Sequence, residues 1–159
     1  MDASLQILIG GTAAYGGAVA YLALFHRLGR RRAVLAAAGA TAAVAATFLF
    51  TIFLATVALP AASACVALAS GATAYLTFRR DLGPRRAAWT SIYVAAVVTA
   101  SFQAVLYLAL IAFVAAIGVY HLVRTRRRIR PAMILMGTTL CGLLTVAALA
   151  FWVSLTYIM

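Results

Sequence analysis

Few side chains in this sequence have the chemistry of a catalytic or ligand-binding site. The 159 residues contain two histidines, His26 and His121, and each follows a long apolar stretch just before a run of arginines. Two histidines at the same level could hold a haem iron as its axial ligands. The alternative, favoured because no second histidine pair and no haem motif accompanies them, is that both are interfacial residues that hydrogen-bond lipid phosphates.

The other reactive groups argue against catalysis. Asp2 lies at the N-terminus, and Asp81 lies among four arginines, where we expect a local ion pair. Because no carboxylate interrupts an apolar stretch and the chain has no lysine, carboxylate-coupled antiport, proton pumping and a retinal Schiff base are excluded. Cys65 and Cys141 lack CxxC spacing and are expected to behave as small hydrophobic residues. We predict no catalytic residue, no metal site, no cofactor and no enzymatic activity.

The composition indicates that the chain spans a membrane several times. Apolar residues make up 67% of the sequence and charged residues 9%, whereas a soluble domain is about half apolar and about a quarter charged. A surface with so few charges must face lipid rather than water. The net charge of +11 therefore has to be interpreted by its position along the chain.

All of the arginines fall into three clusters between long apolar stretches. This arrangement is typical of short cytoplasmic loops, and arginines at that level attract anionic lipid headgroups. Nucleic acid is not a predicted partner, because no aromatic residue is interleaved among the arginines. The clusters consist of Arg27, Arg30, Arg31 and Arg32; Arg79, Arg80, Arg85 and Arg86; and Arg124, Arg126, Arg127, Arg128 and Arg130.

The number of spans follows from the lengths of the apolar stretches and from the charges. A helix crosses the bilayer core with about 20 residues, so the stretches 5–25 and 131–159 each cross once, and 33–78 crosses twice with a break at Leu59-Pro60. The stretch 87–123 is predicted to form two helices with a turn at residues 99–103, because a single crossing would place one arginine cluster outside. This gives six helices with both termini outside; five helices is the alternative.

An internal repeat supports an even number of spans. Ten of the seventeen residues in 17–33 are identical to those in 71–87, which indicates a duplicated unit. A weaker third copy aligns Tyr75, Arg79, Arg85 and Ala87 with residues 120, 124, 130 and 132. We predict an all-α polytopic bundle of three tandem αα-hairpins, approximately 5–58, 61–104 and 105–159, in one transmembrane domain, 1–159.

The turns and helix contacts of this bundle can also be predicted. Gly29 and Gly83 lie where a helix end calls for a left-handed residue. Small residues mark tight helix contacts in lipid, and most hydroxyls are expected to bond to their own helix or across a contact; the small residues of the first span, Gly10 to Ala18, predict a close contact with the second. Aromatic residues near the span ends are expected at the membrane interfaces, namely Tyr21, Tyr75, Trp89, Tyr120, Trp152 and Tyr157.

These features favour a membrane protein of the cytoplasmic membrane that performs no chemistry of its own. The leading hypothesis is a non-catalytic subunit or scaffold of a larger membrane complex, with anionic lipids and other membrane subunits, or further copies of itself, as partners. One alternative is a small channel or facilitative permease with a path lined by serine and threonine. The other is a redox anchor with haem on His26 and His121.

Overall fold

The computed structural model describes residues 3–125 and 128–158, with the backbone alone described at residues 4, 5, 26–28, 154, 155, 157 and 158. The described residues are 97% helical and contain no strand. Arg126 and Arg127 lie outside the described residues, as do Asp2 and the side chains of Arg27 and Tyr157.

Within the described residues, six helices are long and apolar enough to cross a membrane, as the sequence predicts, so the chain is a multi-pass membrane protein. The helical run Ala3–Val57 is divided at Gly29 into α1, whose apolar span is Gln6–Phe25, and α2, Gly29–Val57. The others are α3 (Leu59–Leu82), α4 (Pro84–Val105), α5 (Tyr107–Arg124) and α6 (Ile129–Ile158). The shortest, α5, has 18 residues and is about 27 Å long, close to the thickness of the bilayer core.

Two glycines make the connections α1–α2 and α3–α4 with nearly the same backbone angles. Gly29 has φ 73° and ψ 165°, and Gly83 has φ 77° and ψ 164°. The predicted positive φ is confirmed at both positions. The ψ values differ from the left-handed helical region expected of a helix C-terminus and lie in a region that is essentially restricted to glycine. Gly83 ends α3 and precedes the first residue of α4, so one residue suffices for this connection.

The connections α2–α3 and α4–α5 differ in how well the sequence predicts them. Ala58 is extended, with φ −158° and ψ 109°, and α3 begins at Leu59 with a proline in its first turn, which confirms the predicted break. The turn predicted at residues 99–103 is wrong. That segment is helical, and α4 ends at Val105, before Leu106 with φ 50° and ψ −126°.

The chain forms two compact units, and the first comprises Met1–Phe50 with Val114–Thr139. In this unit α1 and α2 approach closely at Gly17, because a Cβ there would overlap the Thr41 hydroxyl and lie 3.2 Å from the Ala37 carbonyl oxygen. This confirms the predicted contact between the first two spans. Gly10 and Gly11 do not belong to it, since no described atom lies within 4 Å of a Cβ built at either position.

A tyrosine joins α1 to α5 in the same unit. The Tyr15 ring lies against Gly118, where a Cβ would come within 2.5 Å of the ring carbon Cε1 and of the hydroxyl oxygen. The Tyr15 hydroxyl donates a hydrogen bond to the Ala115 carbonyl oxygen at 3.4 Å. Gly118 therefore gives the ring the space in which it crosses α5.

The second unit comprises Thr51–Phe113 with Leu140–Met159, and its centre is the antiparallel pair α3 and α4. The two helices come together where a Cβ on Gly71 would lie 3.4 Å from the Ala95 Cβ. Fully buried side chains on both helices, including Val66, Phe78 and Val98, fill the contact. This pair forms a helical hairpin, and its turn carries the central arginine cluster.

Candidate functional site

The arginine clusters lie at the helix connections, with most of their described side chains exposed. Exposed side chains belong to Arg30, Arg31, Arg32, Arg79, Arg80, Arg85, Arg86, Arg128 and Arg130, whereas Arg124 is half-buried. Asp81 is also half-buried, in the turn that contains four of these arginines. The exposed arginines therefore form cationic surfaces at the helix connections.

The backbone adds to the positive potential at the α3–α4 turn. Helix α4 begins at Pro84 without a side-chain cap and without an acidic residue in its first turn, while Arg85 and Arg86 occupy that turn. The N-terminal end of a helix carries a partial positive charge from its free N–H groups, so arginines there are unfavourable unless an anion is nearby. The same sign of charge from side chains and backbone makes this turn suited to a phosphate group.

Along α4 from this turn towards Val105, the residues on one exposed face are first cationic, then aromatic and then apolar. Arg85, Trp89 and Tyr93 follow each other at intervals of four residues, and all three are exposed, Trp89 by 59% and Tyr93 by 68%. Val97, four residues further on, is exposed as well. Residues four apart share a helix face. The sequence analysis predicted an interfacial position for Trp89 but missed that Trp89 and Arg85 share a helix face. Their spacing of four residues is the signal that could have shown it.

Of the two predicted haem ligands, the structure describes the side chain of His121. His121 is half-buried near the end of α5, and its ring lies edge-on to that of Tyr120, with the centroids 5.8 Å apart. The side chain of His26 lies outside the described residues, so axial ligation by the pair stays a prediction. Tyr120 is fully buried, and α5 has the largest share of buried residues among the described spans. The ring therefore packs inside the protein, and its predicted position at a membrane interface stays a prediction.

The hydroxyl groups mostly satisfy themselves on their own helices, as expected. Bonds to carbonyl oxygens three or four residues earlier are made by Thr12, Thr41, Thr47, Thr56, Ser63, Ser70, Thr90, Ser91, Thr138, Thr139 and Thr145. Thr99 differs, since its buried hydroxyl has no hydrogen-bond partner among the described residues. Such bonds use the hydroxyl hydrogens and leave the oxygen lone pairs as acceptors.

The two glutamines are exposed, and the two cysteines differ in exposure. Gln103 is exposed in the last turn of α4, and Gln6 is exposed near the start of α1. Cys65 is half-buried and Cys141 is exposed, and both are free thiols.

Comparison of the chain with protein-family models, curated proteins and solved structures finds no match. The function is therefore inferred from the residues of the chain itself.

Proposed function

We propose that the chain is a non-catalytic subunit or scaffold of a larger assembly in the cytoplasmic membrane, with its arginine turns inside and both termini outside. The assembly consists of this protein with other membrane subunits, or of several copies of it. The protein contributes helix surfaces and contacts with lipid rather than chemistry.

The observation that carries this proposal is the low burial of α2 and α6 within the chain. In the most apolar stretches of α2 and α6 only 11% of residues are buried, against 39% in α5. Glycines on these helices, Gly39, Gly137 and Gly142, have no described atom within 4 Å of a Cβ built on them. Helices in lipid associate through small residues that let backbones approach closely, so these uncovered positions support lateral association.

The shared turn geometry supports the three-hairpin arrangement. Gly29 and Gly83, which the duplication aligns, have φ and ψ values within a few degrees of each other. The alanines that follow the three arginine clusters, Ala33, Ala87 and Ala132, are all fully buried. Equivalent residues in a duplicated unit should have equivalent surroundings, and burial is an observation independent of sequence identity.

The proposed orientation follows from the order of the helices. If each of the six helices crosses the membrane, the connections α1–α2, α3–α4 and α5–α6 lie on one face. Those connections carry all thirteen arginines, and the positive-inside rule places such a face in the cytoplasm. The N-terminus and the C-terminus then lie outside.

One observation favours the alternative of a small channel or facilitative permease. The Thr99 hydroxyl is buried without a partner, and an unsatisfied polar group inside a bundle is unfavourable unless a solute or water reaches it. Most of the serine and threonine hydroxyls for which a hydrogen bond is described bond to their own helices, which supports the scaffold instead. Flux of small solutes into liposomes that contain the purified protein tests this alternative directly.

The scaffold proposal is tested by the mass of the protein purified in a mild detergent. We expect an assembly larger than one chain, and we expect Gly142→Leu to reduce it to a monomer, because the added side chain occupies open space and disturbs only a partner. Ala72→Leu is the control, since Ala72 is exposed between Leu68 and Leu76 on a face that is already bulky. A monomeric wild type, or equal effects of the two variants, contradicts the proposal. An absorption band of haem in the same preparation supports the redox anchor.

A further inference from the structure

The exposed face of α4 that begins at the arginine turn is complementary to an anionic phospholipid along its length, from the charged headgroup to the apolar acyl chains. Its first residues are the exposed Arg85 and Arg86, followed by Trp89, Tyr93 and Val97 on the same side of the helix. Each step of four residues advances about 6 Å along the helix axis. Guanidinium groups, aromatic rings and an aliphatic side chain therefore succeed each other over a distance comparable to a headgroup and the upper part of its acyl chains.

We propose that Arg85, Arg86, Trp89 and Tyr93, the α4 lipid face, bind an anionic phospholipid in preference to a neutral one. The guanidinium groups bind the phosphate oxygens, which they match in geometry and charge. The free N–H groups at the start of α4 contribute the same sign of potential. The indole and phenol rings pack beside the glycerol and the upper acyl chain, where Trp and Tyr are favoured in membranes. This inference rests on the proposed function to the extent that the α3–α4 turn lies at a membrane surface.

The duplicated turn shows that the α4 lipid face is not simply a consequence of positive charge. Gly29 has the backbone geometry of Gly83, and it is followed by the exposed Arg31 and Arg32. At the positions of the two aromatic residues, 54 residues earlier in the chain, stand Leu35 and Gly39. The α1–α2 turn therefore has the charge without the rings, and it serves as an internal control.

The proposal can be tested with the protein's own fluorescence, because the chain has two tryptophans. In the Trp152→Phe variant, emission comes from Trp89 alone. The variant is reconstituted into phosphatidylcholine vesicles with a small, equal fraction of either phosphatidylglycerol or phosphatidylcholine that carries a nitroxide near the glycerol. The ratio of quenching by the two labelled lipids measures the preference for the anionic headgroup at Trp89.

We expect the quenching ratio at Trp89 to favour labelled phosphatidylglycerol by about tenfold. This value is the attraction of two arginines near the surface for an anionic headgroup, reduced by screening from salt. Trp152 lies in α6, far along the helix from the nearest arginine, Arg130. The Trp89→Phe variant reports on Trp152 and should show a ratio near one. Equal ratios at the two tryptophans would overturn the proposal, and this comparison needs no arginine variant to fold.

Two charge variants then separate a defined lipid face from a diffuse positive field. Arg85→Gln with Arg86→Gln should reduce the ratio at Trp89 to near one. Arg31→Gln with Arg32→Gln removes the same charge from the control turn and should leave the ratio at Trp89 nearly unchanged. Equal losses in the two double variants would mean that the arginines act only through their summed field, and they would contradict the proposal.

The test is independent of the proposed assembly and orientation. Labelled lipid is present in both leaflets of the vesicle, so either orientation of the protein gives the same quenching ratio. A monomeric protein can still show the preference at Trp89, and an oligomeric one can lack it. Loss of the lipid preference and loss of the assembly are therefore distinguishable results.

Discussion

Replacing Gly17 with alanine tests the contact between α1 and α2. The new methyl group would overlap the Thr41 hydroxyl and lie 3.2 Å from the carbonyl oxygen of Ala37. The hydroxyl is held in place by its own hydrogen bond to that carbonyl, 3.0 Å long, and the carbonyl belongs to the helix backbone. The methyl group therefore cannot be accommodated by rotating one flexible side chain.

The size of the effect follows from two opposing contributions. Overpacking of a close contact costs about 1–3 kcal/mol, and we take the upper part of this range because a backbone atom is involved. Alanine favours a helix over glycine by about 1 kcal/mol. We therefore expect Gly17→Ala to lower the free energy of unfolding by about 1–2 kcal/mol.

A chemically identical change in the same helix provides the control. Gly10 has no described atom within 4 Å of a Cβ, so Gly10→Ala should leave the protein unchanged or up to about 1 kcal/mol more stable. The assay is unfolding in mixed micelles of mild detergent and SDS, followed by far-UV circular dichroism. Adding Thr41→Ala should restore part of the stability lost in Gly17→Ala. Equal stability of the two glycine variants would refute the close contact.

The same unfolding assay tests three further expectations. Leu106 has a positive φ, a strain worth about 1–3 kcal/mol, so Leu106→Gly should be unchanged or up to about 1 kcal/mol more stable. Leu106→Ala, which keeps the Cβ, should be less stable than Leu106→Gly, and the reverse order would contradict the strain. Gly29→Ala and Gly83→Ala should each lower the free energy of unfolding by about 1–3 kcal/mol, and by similar amounts, although both sites have open space for a Cβ. An unchanged stability at either site would contradict the turn geometry. Thr99→Val should be neutral or up to about 1 kcal/mol more stable, since it removes an unpaired buried hydroxyl, and a clear loss would indicate a missing partner.

The number of helices could be predicted because the charges and two prolines divide the chain. Pro60 and Pro84 lie in the first turns of α3 and α4, where proline is tolerated. The break at Leu106 could not be found in this way, since neither glycine nor proline is near it. The polar residues at 99–103 suggested a turn, but in this helix their side chains either face outward, as Gln103 does, or are buried as Thr99 is.

The buried face of each span was harder to predict than the span itself. In a membrane both the lipid and the interior of the bundle are apolar, so hydrophobic periodicity does not distinguish them. The richness of α1 in small residues indicated a tight contact, yet it did not separate Gly17, which is in the contact, from Gly10, which faces open space. For the same reason the burial of Tyr120 could not be predicted, because its position near a helix end does not indicate which side of α5 it occupies.

Labelling of single cysteines in the three arginine turns tests the central claim most directly. In a variant that lacks Cys65 and Cys141, a cysteine is placed at Arg30, Arg85 or Arg128, and intact cells are treated with a membrane-impermeant maleimide. All three positions should be protected in intact cells and react after lysis, whereas a cysteine at Ala3 should react in intact cells. Reaction of one turn in intact cells while the other two remain protected would contradict three hairpins with a common cytoplasmic face.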